Sequence, residues 1–386
     1  MAEKDRAPEE FRASEMTTLQ SSTAPPTFAD WSVNSKIVIV AVALLFLFYV
    51  ARLTLSPSSP SAVVPAATVI PATPADIQPV AQAVLTTKNT DDIVEISRLN
   101  VFRAGRIALD PTGQLLGIVN HDIVGLYTLA DLSLSHRFTA HAEPIWELAW
   151  SPNGKFLASS GSDHVIHLWH SHNSVTQIQL AGHTKTIWTL DWSADGRWLA
   201  SGSSDDTVRI WDVESSLERH VLTGHRRAVW SVDWHPNNRD LVSGGQDGTV
   251  RIWDVTNGKQ RKQLDGHHQP ISQVVWSPQG TSLASASADK TAIIWDVDTE
   301  TRHQTLRGHS DWVSSIAWSL DGTQLASGGY DQRIYIWDVE TGSLLRILQG
   351  HTEPVLSLIW TPDGKQLISS SQDNTVRVWG VPTKLE

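Results

Sequence analysis

The sequence predicts an all-β fold, a ring of seven four-stranded antiparallel sheets, preceded by one transmembrane helix. Three observations predict it: an unbroken apolar run near the N-terminus, a Pro-rich stretch after it, and a 42-residue repeat that fills the rest of the 386-residue chain. The formal charge of −11 opposes a general nucleic-acid-binding role, which needs a basic surface to displace counterions. Cysteine is absent, so disulfides, thiol catalysis and cysteine-held zinc are excluded. Trp is used 18 times against 4 Tyr and 7 Phe, a bias that calls for a local cause.

Residues 1–32 are polar, mixed in charge and without an apolar period, which predicts a disordered tail. Ile37 to Ala51 is uninterrupted apolar sequence, and residues 33–55 are long enough to cross a bilayer core of roughly 30 Å as a helix. A buried core helix would carry a polar face, and a cleaved signal peptide would have a shorter tail before its apolar stretch. Lys4, Arg6, Arg12 and Lys36 precede the run, whereas only Arg52 follows it before Lys88. That asymmetry predicts an inside N-terminus and a single-pass protein whose remaining domain is extracytoplasmic. Residues 56–90 carry Pro57, Pro60, Pro65, Pro71, Pro74 and Pro79, which oppose helix and sheet and predict an extended stalk.

Residues 91–386 hold seven units of 42 residues almost to the residue. Six units carry every marker. Trp recurs at Trp169, Trp211, Trp253, Trp295, Trp337 and Trp379, and His at His141, His183, His225, His267, His309 and His351. Asp recurs at Asp163, Asp205, Asp247, Asp289, Asp331 and Asp373, and Ser at Ser159, Ser201, Ser243, Ser285, Ser327 and Ser369. A second Trp series runs Trp150, Trp192, Trp234, Trp276, Trp318 and Trp360. Within Gly224–Val255, "AVWSVDW", "DLVSGG" and "TVRIWDV" are strand patterns separated by "HPNN" and "QDG" turns, and "RHVLTGH" supplies a fourth strand between units. Four strands per unit predict a seven-bladed β-propeller. The first unit is degenerate: Tyr127 stands 42 residues before Trp169, Asp122 stands for the turn Asp, and the His and Ser are missing. The chain stops one strand short, so Ile93–Leu99 is expected to complete the last blade and cover its edge.

Gly-His near the start and Trp-Asp near the end of each unit make residues 91–381 resemble the WD-repeat β-propeller family. Departures are Ala140 for Gly before His141, and His170 and Gly380 for Asp after Trp169 and Trp379. The resemblance implies that the four repeated residues form a structural chain, Trp indole to Ser to His to Asp. A catalytic role for six identical copies, each ending in Trp, is implausible. A metal role is equally opposed, because each copy offers one His and one carboxylate on its own blade. No metal and no cofactor are therefore expected.

Function must lie where the copies differ. Counting from the His, apolar residues fall at +4, +7 and +9, as in Val229, Val232 and Trp234. A step of three among steps of two predicts a β-bulge that re-aims +5. The family resemblance implies that +3, +5 and the residue before the turn Asp ring the channel mouth, a frequent partner site. At +5 stand Trp146, Trp188, Trp230, Ser272, Ser314 and Leu356. Trp312 stands at +3, and Gln246 and Tyr330 stand before the Asp. An exposed aromatic cluster formed by Trp146, Trp188, Trp230, Trp312 and Tyr330, with Gln246 and Leu356, is expected to bind a protein or peptide. Packing between blades is the competing explanation of the same Trp residues. A glycan or cell-wall receptor is an alternative, since flat Trp faces stack on sugars. A channel enzyme is a weaker one, since no acid–base pair lies outside the repeated series.

Overall fold

A computed structural model describes Thr68–Val69 and residues 92–171, 176–299 and 301–381. The expected tail, membrane span and nearly all of the stalk lie outside the described residues. Among the described residues no helix is long and apolar enough to cross a membrane.

The described chain forms seven antiparallel sheets, the blades of a propeller. Blade I covers residues 104–139, blade II 145–181, blade III 187–223, blade IV 229–264, blade V 271–307 and blade VI 313–348. Blade VII takes Val355–Trp360, Gln366–Ser371 and Thr375–Gly380 from the C-terminal end. Its fourth strand is Val94–Asn100, which pairs antiparallel with Thr375–Gly380, so the two ends of the repeat region close the ring. Leu180, Leu222, Leu264, Leu306 and Leu348 recur every 42 residues on the outer strands, and all are buried. Leu99 takes the equivalent place in blade VII, paired with Val376 as Leu222 is with Val208. Thr68 and Val69, in the Pro-rich stretch, pair with Asn100 and Leu99 as a two-residue fifth strand on blade VII. They lie between Pro65 and Pro71, so both can supply the amides that proline lacks.

The core is a ring of interfaces between blades. Each apolar cluster joins residues of two neighbouring blades; six hold one Trp from each of the two repeated series, and the seventh holds Tyr127. Trp253 packs among Ala200, Val208 and Leu222 of blade III and Val229 and Leu241 of its own blade. Tyr127 of blade I occupies the equivalent cluster with Leu99, Ile368 and Val376 of blade VII. A single blade would leave one apolar face in water, which is why the units are stable only as a closed set.

The first strand of each blade lies innermost, and those of blades I to V and VII line a cavity of about 340 Å³. Its wall is laced by hydrogen bonds from blade to blade. The +6 side chains accept the amide of the next blade: Thr189 from Val232 at 3.2 Å, Ser231 from Val274 at 3.1 Å, and Gln273 from Ile316 at 2.8 Å. Sequence period sets the blades, and these unlike side chains tie each to its neighbour.

Candidate functional site: the channel mouth and its wall

The register shifts between +4 and +6 in blades II to VII, between Ile187 and Thr189 for example, and between Val229 and Ser231. The residue at +5 is therefore the bulged one. The amide before each turn Asp donates to the +3 carbonyl: Ser162 to Pro144 at 2.9 Å, Gln246 to Ala228 and Tyr330 to Trp312 at 2.8 Å. These backbone contacts bring the three variable positions of a blade together on one rim.

The rim holds two aromatic groups. In blades II and III the Trp146 and Trp188 rings meet across the blade boundary, with centroids 4.7 Å apart. Each indole N–H donates to the Ser before its own turn Asp, Trp146 to Ser162 at 2.8 Å and Trp188 to Ser204 at 2.6 Å. In the second group Trp230 approaches Trp312 at 5.9 Å, and Trp312 stacks on Tyr330 at 4.8 Å. Trp230 belongs to blade IV and Trp312 to blade VI, so their contact passes over blade V, where +5 is the small Ser272. Ser272 is itself turned to the blade boundary, donating to the Val313 carbonyl. Trp146, Trp188, Trp230, Tyr330, Gln246 and Leu356 are half-buried. Trp312 corrects the expectation of an exposed ring: it is 8% exposed, covered by Tyr330 and Trp230. The Leu356 carbonyl accepts Arg106 at 3.1 Å, which ties blade VII to blade I.

Beneath the rim the repeated residues are joined in all six full copies. In blade III the Trp211 indole donates to Ser201 Oγ at 2.8 Å, His183 Nε2 lies 2.8 Å from the same oxygen, and His183 Nδ1 lies 2.8 Å from Asp205. In blade IV the distances are 2.7, 2.7 and 3.0 Å for Trp253–Ser243, His225–Ser243 and His225–Asp247. Trp169–Ser159–His141–Asp163, Trp295–Ser285–His267–Asp289, Trp337–Ser327–His309–Asp331 and Trp379–Ser369–His351–Asp373 repeat the arrangement. The six imidazoles are 0–1% exposed. Burial pushes the aspartates up, but the hydrogen bond and charge of the imidazole outweigh it and hold Asp205, Asp247 and Asp373 below the usual carboxylate range.

The channel wall carries acidic groups that most copies of the repeat lack. Glu147, Asp191 and Asp233 line the cavity with Arg106. In blades III, VI and VII the +9 indole donates to the preceding blade, Trp192 to the Ala149 carbonyl at 3.1 Å for example. Ahead of blades IV and V that preceding residue is Asp191 or Asp233, whose carboxylate accepts the backbone N–H of Trp234 at 2.6 Å or Trp276 at 2.7 Å. Burial raises Glu147 to about 7 against the pull of Arg106. Burial also raises Asp191 to about 7, opposed by the Trp234 and Trp192 amides. Asp233 is raised by burial and by the neighbouring Asp191. A carboxyl raised in the folded state binds its proton more tightly there than in the unfolded chain, so its contribution to stability falls as pH rises from about 4 to about 7. Asp191→Asn keeps an acceptor for Trp234 and removes the charge. It is expected to stabilise the protein at pH 8 by on the order of 2 kcal/mol, with the gain fading by about pH 4. Urea denaturation at the two pH values measures it, and a gain that does not change with pH would refute it.

Blade II differs in a way that repeat logic overlooked. His167 lies in register opposite Ser159, where blades III, IV and VII carry Arg209, Arg251 and Arg377 opposite their own Ser. Blade II also carries Ala140 where blade III has Gly182, a position at which a Cβ would come within 2.8 Å of Arg209 Nη1 and 2.9 Å of Trp211 Cη2. His167 also stacks parallel to Trp169, centroids 5.5 Å apart, and faces His141 at 4.4 Å. Its Nε2 lies 3.8 Å from Asp163.

Comparison with known proteins agrees with this architecture. Residues 146–310 match the family model described as WDR19 first beta-propeller, and residues 300–338 and 342–380 match that of the WD domain, G-beta repeat. No curated protein matches the chain.

Proposed function

The chain belongs to the WD-repeat β-propeller family, and from that premise we propose that it is a non-enzymatic, membrane-tethered scaffold whose aromatic rim binds a protein or peptide. The observation that carries this reading is the occupancy of the bulge. Three successive blades place Trp there, half-buried, and two of the indoles are oriented by Ser162 and Ser204. Trp rings held this way offer broad contact area with little rotamer entropy left to lose. The +5 slot does not need Trp for folding, since blades V and VI build the same bulge with Ser272 and Ser314. Against an enzyme stands the burial of the six imidazoles, each committed to a Ser and an Asp of its own blade.

The tether is residues 33–55, read from the apolar run Ile37 to Ala51, with the propeller on the extracytoplasmic side as the basic residues suggest. Protease cleavage within residues 56–90 on intact cells is the expected sign of that side. Protection there, with cleavage after permeabilisation, reverses the orientation, and release of the protein by alkaline carbonate removes the tether.

Binding is tested by selecting peptides from a display library on the full chain. Trp188→Ser and Trp230→Ser copy the residue native to blades V and VI. Each is expected to weaken selected peptides by about 2 kcal/mol, roughly thirtyfold, with the near-ultraviolet circular dichroism of a folded propeller. Unchanged affinity in folded variants refutes the rim as the site.

A further inference from the structure

We propose that His141, Asp163 and His167 of blade II form a site for one divalent transition-metal ion of the zinc class. One ligand atom from each of the three residues lies within 4.8 Å of the others. His141 Nδ1 and Asp163 Oδ2 are 2.7 Å apart, and His167 Nε2 is 3.8 Å from the same Asp163 oxygen. The longer distance is beyond a hydrogen bond. It is close to the separation of two ligand atoms that share an ion at about 2.0–2.1 Å from each, so movements on the order of 1 Å complete the set. Two imidazoles and one carboxylate are the donors that favour zinc, copper, nickel or cobalt over magnesium or calcium.

The comparison between blades separates this site from the ordinary structural chain. In blade VI the equivalent residue, Tyr335, reaches the turn Asp331 through its hydroxyl at 3.3 Å. In blade VII, Arg377 reaches Asp373 at 3.6 Å as a cation. Both bring positive or donor character to the carboxylate. His167 instead sets a ring nitrogen 3.8 Å from the carboxylate, a separation suited to a shared ion rather than to a hydrogen bond. A cation between them supplies the charge that Arg377 supplies in blade VII. Access differs as well. The Asp163 side chain is 20% exposed, whereas the other five turn aspartates are 3–12% exposed. The fourth coordination position therefore faces solvent, the arrangement of a site that holds water or a partner's side chain. On coordination through Nδ1, the His141 proton moves to Nε2, where Ser159 Oγ, 2.7 Å away, accepts it.

The test is calorimetric titration of the full chain with Zn²⁺ alone, supported by the visible absorption of bound Co²⁺. The expected result is one equivalent bound with a dissociation constant in the micromolar range or tighter and a rise in melting temperature. His167→Gln is expected to weaken binding at least tenfold with an intact fold. His167→Ile, which copies Ile293 of blade V, serves as the second variant and is expected to do the same. Absence of a saturable single equivalent in the wild type overturns the site, as does equal affinity in either folded variant.

Discussion

Leu99→Ala is expected to destabilise the protein by about 2–5 kcal/mol, as a large buried aliphatic truncation does, and to loosen one blade more than the rest. Leu99 is fully buried among Leu116, Ile118, Tyr127, Val376 and Ile368, so the vacated volume sits where blade VII meets blade I. Its strand is held to blade VII by pairing and packing, whereas the outer strands of the other blades follow directly in the chain. Glu95 adds an ion pair to Arg377 at 2.5 Å. Local opening there bares the Thr375–Gly380 edge, a template for aggregation. Leu222→Ala in blade III, the matching repeat position, supplies the comparison. Both variants are expected to shift the denaturation midpoint, but only Leu99→Ala should speed amide exchange across residues 355–380. Equal exchange in the two variants would remove the special role of closure.

The second large effect is expected from Ser243→Ala. Ser243 Oγ is the node between two buried groups, the Trp253 indole and His225 Nε2. Its removal strands both, each at about 1–3 kcal/mol, for a loss of roughly 2–5 kcal/mol. Trp253→Phe removes the indole donor in advance, so Ser243→Ala made on that background should be milder by at least about 1 kcal/mol. A change within about 0.5 kcal/mol of wild type for the single variant contradicts the hydrogen-bond chain as a source of stability.

Much of this architecture was legible before any coordinates. The 42-residue step gave the number of blades because a repeat that buries one face against its neighbour must recur in both sequence and space. The 4–7–9 spacing after each His located the bulge, since a break in the alternation of a strand leaves one residue without a place in the ladder. The missing last strand pointed to residues near Ile93, because an exposed edge at the end of a ring has to be covered. The rim was legible only in part. The positions at +3, +5 and before the turn Asp could be assigned, but the burial of Trp312 depended on Tyr330 stacking on it and on a small residue in the blade between Trp230 and Trp312.

Sequence by itself determined the blades, the bulge and the closing strand, because each follows from periodicity and from the pairing demands of one chain's backbone. Tertiary structure alone decided which unlike side chains meet. It paired Trp146 with Trp188, gathered Glu147, Asp191 and Asp233 on the channel wall, and brought His167 beside His141 and Asp163. Trp146 and Trp188 share one repeat position and Asp191 and Asp233 another, but nothing in that spacing shows that their side chains meet, and Glu147 and His167 stand outside both series. Their proximity arises from the curvature of the ring and from adjacent strands, which set through-space distances that spacing along the chain does not encode.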